Sequence, residues 1–448
     1  MKNTIGIRRE DLSKTGEQRV ALTPKEVRQL TQNGHRVIIQ AAVHPEKGER
    51  KRAFEDQAYL EAGAEIKEDL AEANPIFGLK EVEIQNVLPK KAYLIFSHTH
   101  KGQIKNRKML AHFVEHQNTI IDYELVTEAH GPRIITAFTY FAGYAGMIDS
   151  LWTLGKRFAQ RGIEHPFAMI PQSIEKANLD LIKQILRSCG ERIASEGTPT
   201  ELPPLITIFL GNGKTSTGAQ SIYDLLPVEE IRLDQLAQTF AEGDRHKVYK
   251  LVLDVPQMYR RKDGVEMDDK AFFDRYLQAP EEFESDMEKV FPYATMWMNC
   301  IIWGPEFPRL LTRDQAEEWY AQHQSLEVIG DITCDPEGAI HFSKETWIDD
   351  PVFVYDPATG EQKMGFEGEG IAVMAVTNLP CEFAADASAQ FSADMGDLIS
   401  GIATADFSAT DPKAAGLPAA IQRAVILWQG AFSPDFAYMK EYLGESEA

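Results

Sequence analysis

The sequence has few cysteines and no long apolar segment. Its 448 residues include four cysteines, none in a C-x-x-C spacing, so neither a disulfide framework nor a zinc knuckle is expected. No apolar run approaches the roughly 20 residues that span a bilayer, and the N-terminus lacks the apolar region of a signal peptide. These absences predict a soluble protein of the reducing cytoplasm.

An excess of positive charge is also missing. The chain carries 46 Lys and Arg against 68 Asp and Glu, which gives a net charge of −22 at pH 7. This charge repels phosphate backbones, so a nucleic-acid partner is not expected. The acidity is uneven, because residues 1–140 contain 21 basic and 19 acidic side chains. A ligand of the N-terminal third would therefore meet a nearly neutral surface.

Short apolar runs alternate with helical segments over the first 140 residues. The length predicts two or three domains, and 44% apolar residues suffice for their cores. Thr23-Pro24 followed by Glu26 is typical of a helix start, and Asn33-Gly34 marks the helix end. Strand-like runs occur at 5–7, 37–39, 75–79, 92–96 and 119–121. Strands separated by helices predict an α/β fold with a parallel, doubly wound sheet.

A second strand, turn and helix follow a helix rich in small residues at about 141–160. The unbroken apolar run Leu205–Leu210 suits a central parallel strand, and the next residues read Gly211-Asn-Gly213-Lys-Thr-Ser216-Thr-Gly218. Dinucleotide-binding folds place small residues at these positions, so that the backbone approaches a pyrophosphate at the helix N-terminus. An ordinary tight turn would give the same pattern. The segment also resembles a phosphate-binding loop, but that motif requires glycine where Ile208 stands.

The residue about 20 positions after such a turn distinguishes the two nicotinamide nucleotides. NAD enzymes place an acid there on the ribose hydroxyls, whereas NADP enzymes often place an arginine on the 2′-phosphate. Arg232 stands at this position, with Asp234 two residues further along. The sequence therefore favours NADP(H) over NAD(H). The alternative interpretation is that Arg232 is a solvated loop charge.

Lys80 and His98 each follow a strand-like run. Neighbouring parallel strands present their carboxyl ends to the same ligand crevice, so these two side chains could converge on one substrate. A lysine near other cations can act as a base, and histidine titrates near neutral pH. Taken singly, each residue is also typical of a protein surface.

Two patterns have a superficial likeness to metal sites. His98 and His100 follow a strand-like run two residues apart, and joint ligation of a metal by them is not expected. The segment His112-Phe-Val-Glu115-His116 matches a zinc-protease pattern, but it lies on a helix between two strands, where paired polar residues usually face solvent. No metal is expected.

Further motifs together resemble one enzyme family. They are Arg8-Arg-Glu-Asp11, Glu17 through Pro24, Phe77-Gly-Leu-Lys-Glu81, Phe96-Ser-His-Thr-His-Lys101, Ile121-Asp-Tyr-Glu124, Tyr140-Phe-Ala-Gly143, Gly211 through Gln220, Trp303, Pro308 through Thr312, Gly330-Asp-Ile332, Glu367-Gly-Glu-Gly370 and Asn378-Leu-Pro380. The chain resembles the lysine-ketoglutarate reductase (saccharopine-forming) module within the alanine dehydrogenase and transhydrogenase N-domain superfamily. The resemblance covers nearly the whole chain.

The resemblance implies a reversible, NAD(P)H-dependent condensation of L-lysine with 2-oxoglutarate to saccharopine. By this resemblance Lys80 is the base, His98 is the acid, and Arg19 clamps a substrate carboxylate. The other implied substrate-binding residues are Thr23, Lys101, Gln103, Glu124, Arg133, Phe138, Ile302 and Trp303. The implied cofactor-binding residues are Gly211, Asn212, Gly213, Lys214, Ser216, Gly218, Arg232 and Asp331. The cofactor would be NADP(H) or, alternatively, NAD(H), without a metal.

The family architecture implies two Rossmann-like domains with the active site in the cleft between them. Residues 1–142, completed by about 372–448, would form the substrate domain. Residues 143–371 would form the dinucleotide domain, with an insertion near 255–300. Animal and plant relatives fuse the module to a saccharopine-cleaving dehydrogenase, so this chain is expected to carry the reductase half alone and to act with a separate enzyme. A homo-oligomer is a further expectation.

Two departures from the family pattern leave other functions open. Thr139 stands where the family has glycine, and Thr377 stands where it has aspartate before Asn-Leu-Pro. The alternatives are an amino-acid dehydrogenase similar to alanine dehydrogenase and a non-catalytic, nucleotide-binding regulatory protein on the same fold.

Overall fold

The chain divides into two compact units in the computed structural model, which describes residues 3–443. The first unit combines the chain up to Ala137 with the chain from Ala384 onward, and the second comprises Phe138–Phe383. Each unit is built on one eight-stranded sheet, and the second also contains a small two-stranded sheet. The predicted α/β class with two largely parallel sheets is confirmed.

The strands and helices are numbered in chain order. The strands are β1 (Thr4–Ile7), β2 (Arg36–Ile39), β3 (Glu65–Ile66), β4 (Ile76–Phe77), β5 (Ala92–Ile95), β6 (Thr119–Asp122), β7 (Ile206–Leu210), β8 (Val228–Glu230), β9 (Val248–Leu253), β10 (Tyr259–Arg261), β11 (Phe283–Ser285), β12 (Met296–Asn299), β13 (Val328–Asp331), β14 (Val352–Tyr355), β15 (Gln362–Met364), β16 (Ile371–Met374), β17 (Val425–Trp428) and β18 (Ala431–Phe432). The helices are α1 (Pro24–Gln32), α2 (Asp56–Glu61), α3 (Arg107–Glu115), α4 (Ala137–Gln160), α5 (Ser173–Lys176), α6 (Leu179–Glu196), α7 (Lys214–Tyr223), α8 (Leu236–Glu242), α9 (Val255–Met258), α10 (Asp269–Gln278), α11 (Arg313–Gln322), α12 (Ala384–Met395), α13 (Leu398–Thr404) and α14 (Ala419–Arg423). Within residues 3–443, none of these helices is both long and apolar enough to cross a bilayer.

The sheet of the first unit has the strand order β18-β17-β6-β5-β4-β1-β2-β3. Strands β1 to β6 pair in parallel, whereas β17 and β18 add an antiparallel edge. Because β1, β4, β5 and β6 are successive neighbours, their carboxyl ends meet at one edge of the sheet. The loops after these four strands therefore carry side chains into a common region.

Helix α1 begins and ends where the sequence predicts. Pro24 occupies the first turn, and the Glu26 carboxylate accepts the backbone N–H of Thr23 at 3.2 Å, which satisfies a donor at the helix start. The chain leaves the helix through Gly34, whose φ of +83° favours glycine. Val27 and Leu30 are buried, so this amphipathic helix covers the apolar sheet.

The sheet of the second unit has the strand order β15-β14-β16-β13-β12-β7-β9-β8. Strand β7 is fully buried and lies in the middle, as its unbroken apolar sequence predicts. Strand β14 pairs antiparallel with both β15 and β16, and the other pairings are parallel. Strand β9, which follows β8 in the chain, lies between β8 and β7. The segment near 255–300 contains α9, β10, α10 and β11 in this order, and β10 pairs antiparallel with β11. The chain then re-enters the large sheet as β12.

Small residues allow α4 and α7 to pack closely within the second unit. A Cβ atom placed on Gly143 would lie 2.1 Å from the Thr215 carbonyl oxygen, and one on Gly218 would lie 2.5 Å from the Tyr140 carbonyl oxygen. Both distances are far below van der Waals contact, so glycine is required at both positions. This packing fixes α7, whose first residue follows the glycine turn.

We expect Gly143→Ala to destabilise the protein by about 1–3 kcal/mol. The added methyl group meets backbone atoms, which cannot rotate away, so the two helices must separate. Urea unfolding, followed by circular dichroism, measures the change. Ser195→Ala on the exposed face of α6 is the control and should change the free energy of unfolding by less than about 0.5 kcal/mol. Equal stability of Gly143→Ala and the control would contradict the close packing.

Candidate active site

Charged side chains collect after β1, β4, β5 and β6 in the first unit. Glu10 follows β1, Lys80 and Glu81 follow β4, His98 and Lys101 follow β5, and Glu124 follows β6. The strand order brings these four loops side by side. The sequence-predicted pair Lys80 and His98 thus lies on loops after adjacent strands.

Buried Glu10 holds the backbone next to Lys80. Its carboxylate accepts the backbone N–H groups of Leu79 at 2.8 Å and Lys80 at 2.9 Å. Burial raises the pKa of Glu10, while Arg8, 3.5 Å from its carboxylate, opposes that rise. The loop after β4 is therefore anchored through its main chain, and the Lys80 side chain extends from a fixed point.

Arg19 forms a buried, two-bonded ion pair with Glu17. The Nε and Nη2 atoms of Arg19 lie 2.8 and 2.6 Å from the two carboxylate oxygens of Glu17, and the residues are only 4% and 2% exposed. Burial would raise the pKa of Glu17, but Arg19 and, to a smaller extent, Lys80 lower it to about 2. Glu17 is thus ionised beside Arg19, within the electrostatic influence of Lys80. One edge of the Arg19 guanidinium faces this carboxylate.

His98 is oriented by a carboxylate that the sequence analysis did not identify. Its Nδ1 lies 2.7 Å from Glu81, whose other oxygen lies 2.6 Å from the Lys14 ammonium. Burial alone would raise the pKa of Glu81, but its bonds to His98 and Lys14 hold that pKa well below the ordinary value. Because an ionised carboxylate accepts hydrogen bonds, Nδ1 carries a hydrogen and donates it to Glu81, which fixes the orientation of the ring. The sequence signal for the role of Glu81 in orienting His98 is that Glu81 directly follows Lys80 in the chain.

Glu124 joins Lys101 and Arg133. Its Oε1 lies 2.8 Å from the Lys101 ammonium and 3.4 Å from the Arg133 guanidinium. Its Oε2 lies 3.8 Å from His100 Nε2, so His98 and His100 contact different carboxylates. Burial would raise the pKa of Glu124, but Lys101 and Arg133 hold it below the ordinary value. Glu124 thus sits among cations contributed by two loops.

The remaining sequence-predicted substrate residues occupy varied positions. The Thr23 hydroxyl donates to Glu26 at the start of α1, and Gln103 bonds Asn106 at 3.3 Å. Phe138 belongs to α4 and falls in the second unit. Ile302 and Trp303 line a cavity of about 330 Å³ together with Cys300 and Thr333. Ile302 is 98% exposed. Their roles in binding stay predictions.

The glycine turn of the second unit fits a dinucleotide. Gly211 has a φ of +89°, and Gly213 precedes the first residue of α7. A Cβ on Gly213 would meet no atom within 4 Å, so open space lies in front of this backbone. Ser216 is fully buried on the face of α7 that packs inward. Gly211 would supply the tight turn, and Asn212, Gly213 and Lys214 would present backbone N–H groups and the helix N-terminus to a pyrophosphate.

Asp331 and Arg232 are engaged within the second unit. Asp331, at the end of β13, is 1% exposed and accepts hydrogen bonds from Asn299 at 2.7 Å and Ser343 at 2.5 Å. Burial raises the pKa of Asp331 to about 6. Arg232 lies two residues after β8 on the surface and pairs with Asp234 at 3.0 Å. Whether either residue touches a nucleotide stays a prediction.

The zinc-like pattern does bring three side chains together at the end of α3. Ligating atoms of His112, Glu115 and His116 lie within 4.8 Å of one another. The two imidazole rings stack with centroids 3.8 Å apart, and His116 Nδ1 bonds the His112 carbonyl oxygen at 3.0 Å. Stacking and a backbone bond account for the arrangement of the rings.

Sequence comparison finds relatives along the whole chain. Residues 6–145 match the family described as alanine dehydrogenase/PNT, N-terminal domain. An alpha-aminoadipic semialdehyde synthase of Arabidopsis thaliana is 34% identical over 454 residues, covering 97% of this chain and 41% of that protein. The chain thus spans about two fifths of the length of this relative. A saccharopine dehydrogenase [NAD(+), L-lysine-forming] of Neurospora crassa is 24% identical over 395 residues, covering 85% of this chain and 86% of that protein.

Structural comparison supports the fold. An L-alanine dehydrogenase structure covers 98% of this chain and is itself covered completely, with a TM-score of 0.61 and 16% sequence identity. At this identity the likeness concerns the arrangement of helices and strands alone.

We expect Glu17→Gln to lower the free energy of unfolding by about 3 kcal/mol at pH 7. The pKa of Glu17 is lowered from 4.5 to about 2, so its carboxylate stabilises the fold fully above pH 4.5 and loses this effect as the pH falls towards 2. Urea unfolding of both proteins between pH 7 and 3.5 should show the difference shrinking below pH 4.5.

Glu46→Gln removes an exposed carboxylate from the same unit and serves as the control. Its free energy of unfolding should match that of the unmodified protein across this pH range. A difference for Glu17→Gln that is constant with pH would contradict the ion pair with Arg19.

Proposed function

We propose that this chain, which belongs to the alanine dehydrogenase/transhydrogenase superfamily, catalyses the reversible condensation of L-lysine and 2-oxoglutarate, with NAD(P)H, to saccharopine. The observation that carries the proposal is the pairing of Lys80 with an oriented His98 on loops after adjacent strands. The relatives named for alpha-aminoadipic semialdehyde and for lysine-forming saccharopine dehydrogenase support this substrate class.

Arg19 is proposed to hold a carboxylate of the keto acid. A guanidinium offers more than one edge to carboxylates, and Glu17 uses the edge formed by Nε and Nη2. Because Glu17 fixes the guanidinium plane in a buried position, little side-chain entropy is lost when the substrate binds.

Lys80 and His98 are proposed to move the protons of the reaction. Lys80 takes the proton from the ε-ammonium of lysine, and the resulting amine attacks the ketone carbon of 2-oxoglutarate. His98 Nε2 donates to the carbinolamine hydroxyl, which leaves as water and gives the imine. The overall reaction consumes NAD(P)H and one proton and releases NAD(P)⁺ and water. Each proton step requires a group within hydrogen-bond reach of the substrate.

The second unit is proposed to hold the nicotinamide nucleotide. The bound nucleotide supplies a hydride to the imine carbon. Asn212, Gly213 and the N-terminus of α7 would bind its pyrophosphate, and buried Ser216 and Gly218 keep α7 close to its neighbours.

The assay that tests the proposal follows NADH and NADPH absorbance with the purified protein. We expect oxidation only when L-lysine and 2-oxoglutarate are both present, because the hydride acceptor is the imine that they form. Saccharopine with the oxidised nucleotide should drive the reverse reaction. Turnover with ammonia and pyruvate in place of these substrates would contradict the proposal and indicate an alanine dehydrogenase, whereas nucleotide binding without turnover would indicate a regulatory protein.

We expect Lys80→Met and His98→Gln each to lower kcat by roughly 10²–10⁴-fold, since each removes a proton-transfer group of the proposed mechanism. Steady-state kinetics with lysine and 2-oxoglutarate measure the loss. Lys440→Met, at an exposed position of the same unit, is the matched control and should retain the unmodified rate. Unchanged kcat in either variant would remove that residue from the mechanism.

A further inference from the structure

The strand beside the glycine turn is β9 rather than β8. In the sheet order β12-β7-β9-β8, β9 pairs with β7 from Ile206↔Tyr249 to Leu210↔Leu253. The usual rule, which seeks the ribose-binding residue about 20 positions after the turn, assumes that the second strand of the unit is the neighbour of the first. Here β9, the third strand of the unit, is the neighbour of β7.

The end of β8 lies far from the turn. Glu230, the last residue of β8, pairs with Lys250 of β9. Lys250 in turn pairs with Thr207, which lies three residues before the end of β7. At about 3.3 Å per residue and about 4.8 Å between strands, the end of β8 lies roughly 10 Å from the end of β7 along the strand direction and roughly 10 Å from it across the sheet. Arg232, two residues later, directs its guanidinium to Asp234.

The end of β9, in contrast, contacts the turn directly. The backbone N–H of Gly211 donates to the Leu253 carbonyl oxygen at 2.8 Å. The next residues meet through side chains, because the Asn212 amide donates to an Asp254 carboxylate oxygen at 3.2 Å. Asp254 is exposed, so its carboxylate can accept further hydrogen bonds from a ligand.

We propose that Asp254 accepts the 2′- and 3′-hydroxyl groups of the adenosine ribose, so that the protein selects NAD(H) over NADP(H). The inference rests on the proposed dinucleotide site and deepens it by naming the residue that sets the nucleotide preference. A carboxylate beside the ribose bonds both hydroxyls of NAD(H). The same carboxylate repels the 2′-phosphate of NADP(H), which carries a charge of about −2 at neutral pH.

The arginines along this part of the second unit already have acidic partners. Arg232 pairs with Asp234, Arg261 pairs with Asp263, and Arg260 bonds Glu284 and Glu288 at 2.9 and 2.8 Å. A 2′-phosphate would therefore compete with existing carboxylates for these cations while facing Asp254. Ribose hydroxyls require no such exchange, which favours NAD(H).

Direct binding tests this preference independently of turnover. Titration of the purified protein with NADH and with NADPH, followed by nucleotide fluorescence, should give a Kd for NADH roughly tenfold or more below that for NADPH. In Asp254→Asn the acceptor charge is lost while the side-chain shape is kept, so NADH should bind more weakly and NADPH more tightly. The ratio of the two Kd values should fall by roughly tenfold or more.

Asp274→Asn, an equal charge change on an exposed turn of α10, is the control and should keep the original ratio. Tighter binding of NADPH by the unmodified protein, or an equal ratio in Asp254→Asn, would overturn the assignment of Asp254 and leave the proposed reaction intact. Failure of both nucleotides to bind would overturn the dinucleotide site and the proposed function together.

Discussion

Charge compensation by buried carboxylates is the constraint on which the first unit depends. Its parallel strands deliver cationic side chains to one edge of the sheet, and a buried cation without a partner is strongly destabilising. Buried Glu17 therefore pairs with buried Arg19. Glu81 joins Lys14 to His98, and half-buried Glu124 joins Lys101 and Arg133, whose side chains are exposed. Each carboxylate also fixes the position of the group that it neutralises, so the same contacts that stabilise the fold arrange the site.

This compensation alters how anionic substrates would meet the site. The near-neutral charge of residues 1–140 is reflected at the site, because Arg19, Lys101 and Arg133 each have a carboxylate partner. A substrate carboxylate must share these cations with Glu17 and Glu124. Bidentate groups suit such sharing, because a guanidinium can bond two carboxylates through different edges. Selectivity for substrates then follows from geometry more than from net charge.

Local features of the fold could be predicted from the sequence, and pairings between distant residues could not. The capped start of α1, its end at Gly34, the buried strand β7 and the turn at Gly211 and Gly213 follow from neighbouring residues alone. The positions of Lys80 and His98 after strands were also foreseeable. The partnership of Glu81 with His98 joins residues 17 apart, and the bonds from Glu10 to the backbone of Leu79 and Lys80 depend on which loops the sheet brings together.

The strand order of the second unit likewise could not be predicted from neighbouring residues, and it determines which residue lies beside the glycine turn. A rule that counts residues along the chain identifies Arg232, because it presumes that successive strands are neighbours in the sheet. Insertion of β9 between β7 and β8 breaks that presumption, and the residue beside the turn becomes Asp254, 43 positions after Gly211. Since an aspartate and an arginine favour opposite charges at the ribose, the proposed role of Asp254 predicts the nucleotide preference opposite to that predicted from Arg232. A motif rule for nucleotide preference therefore needs the strand order before it can be applied.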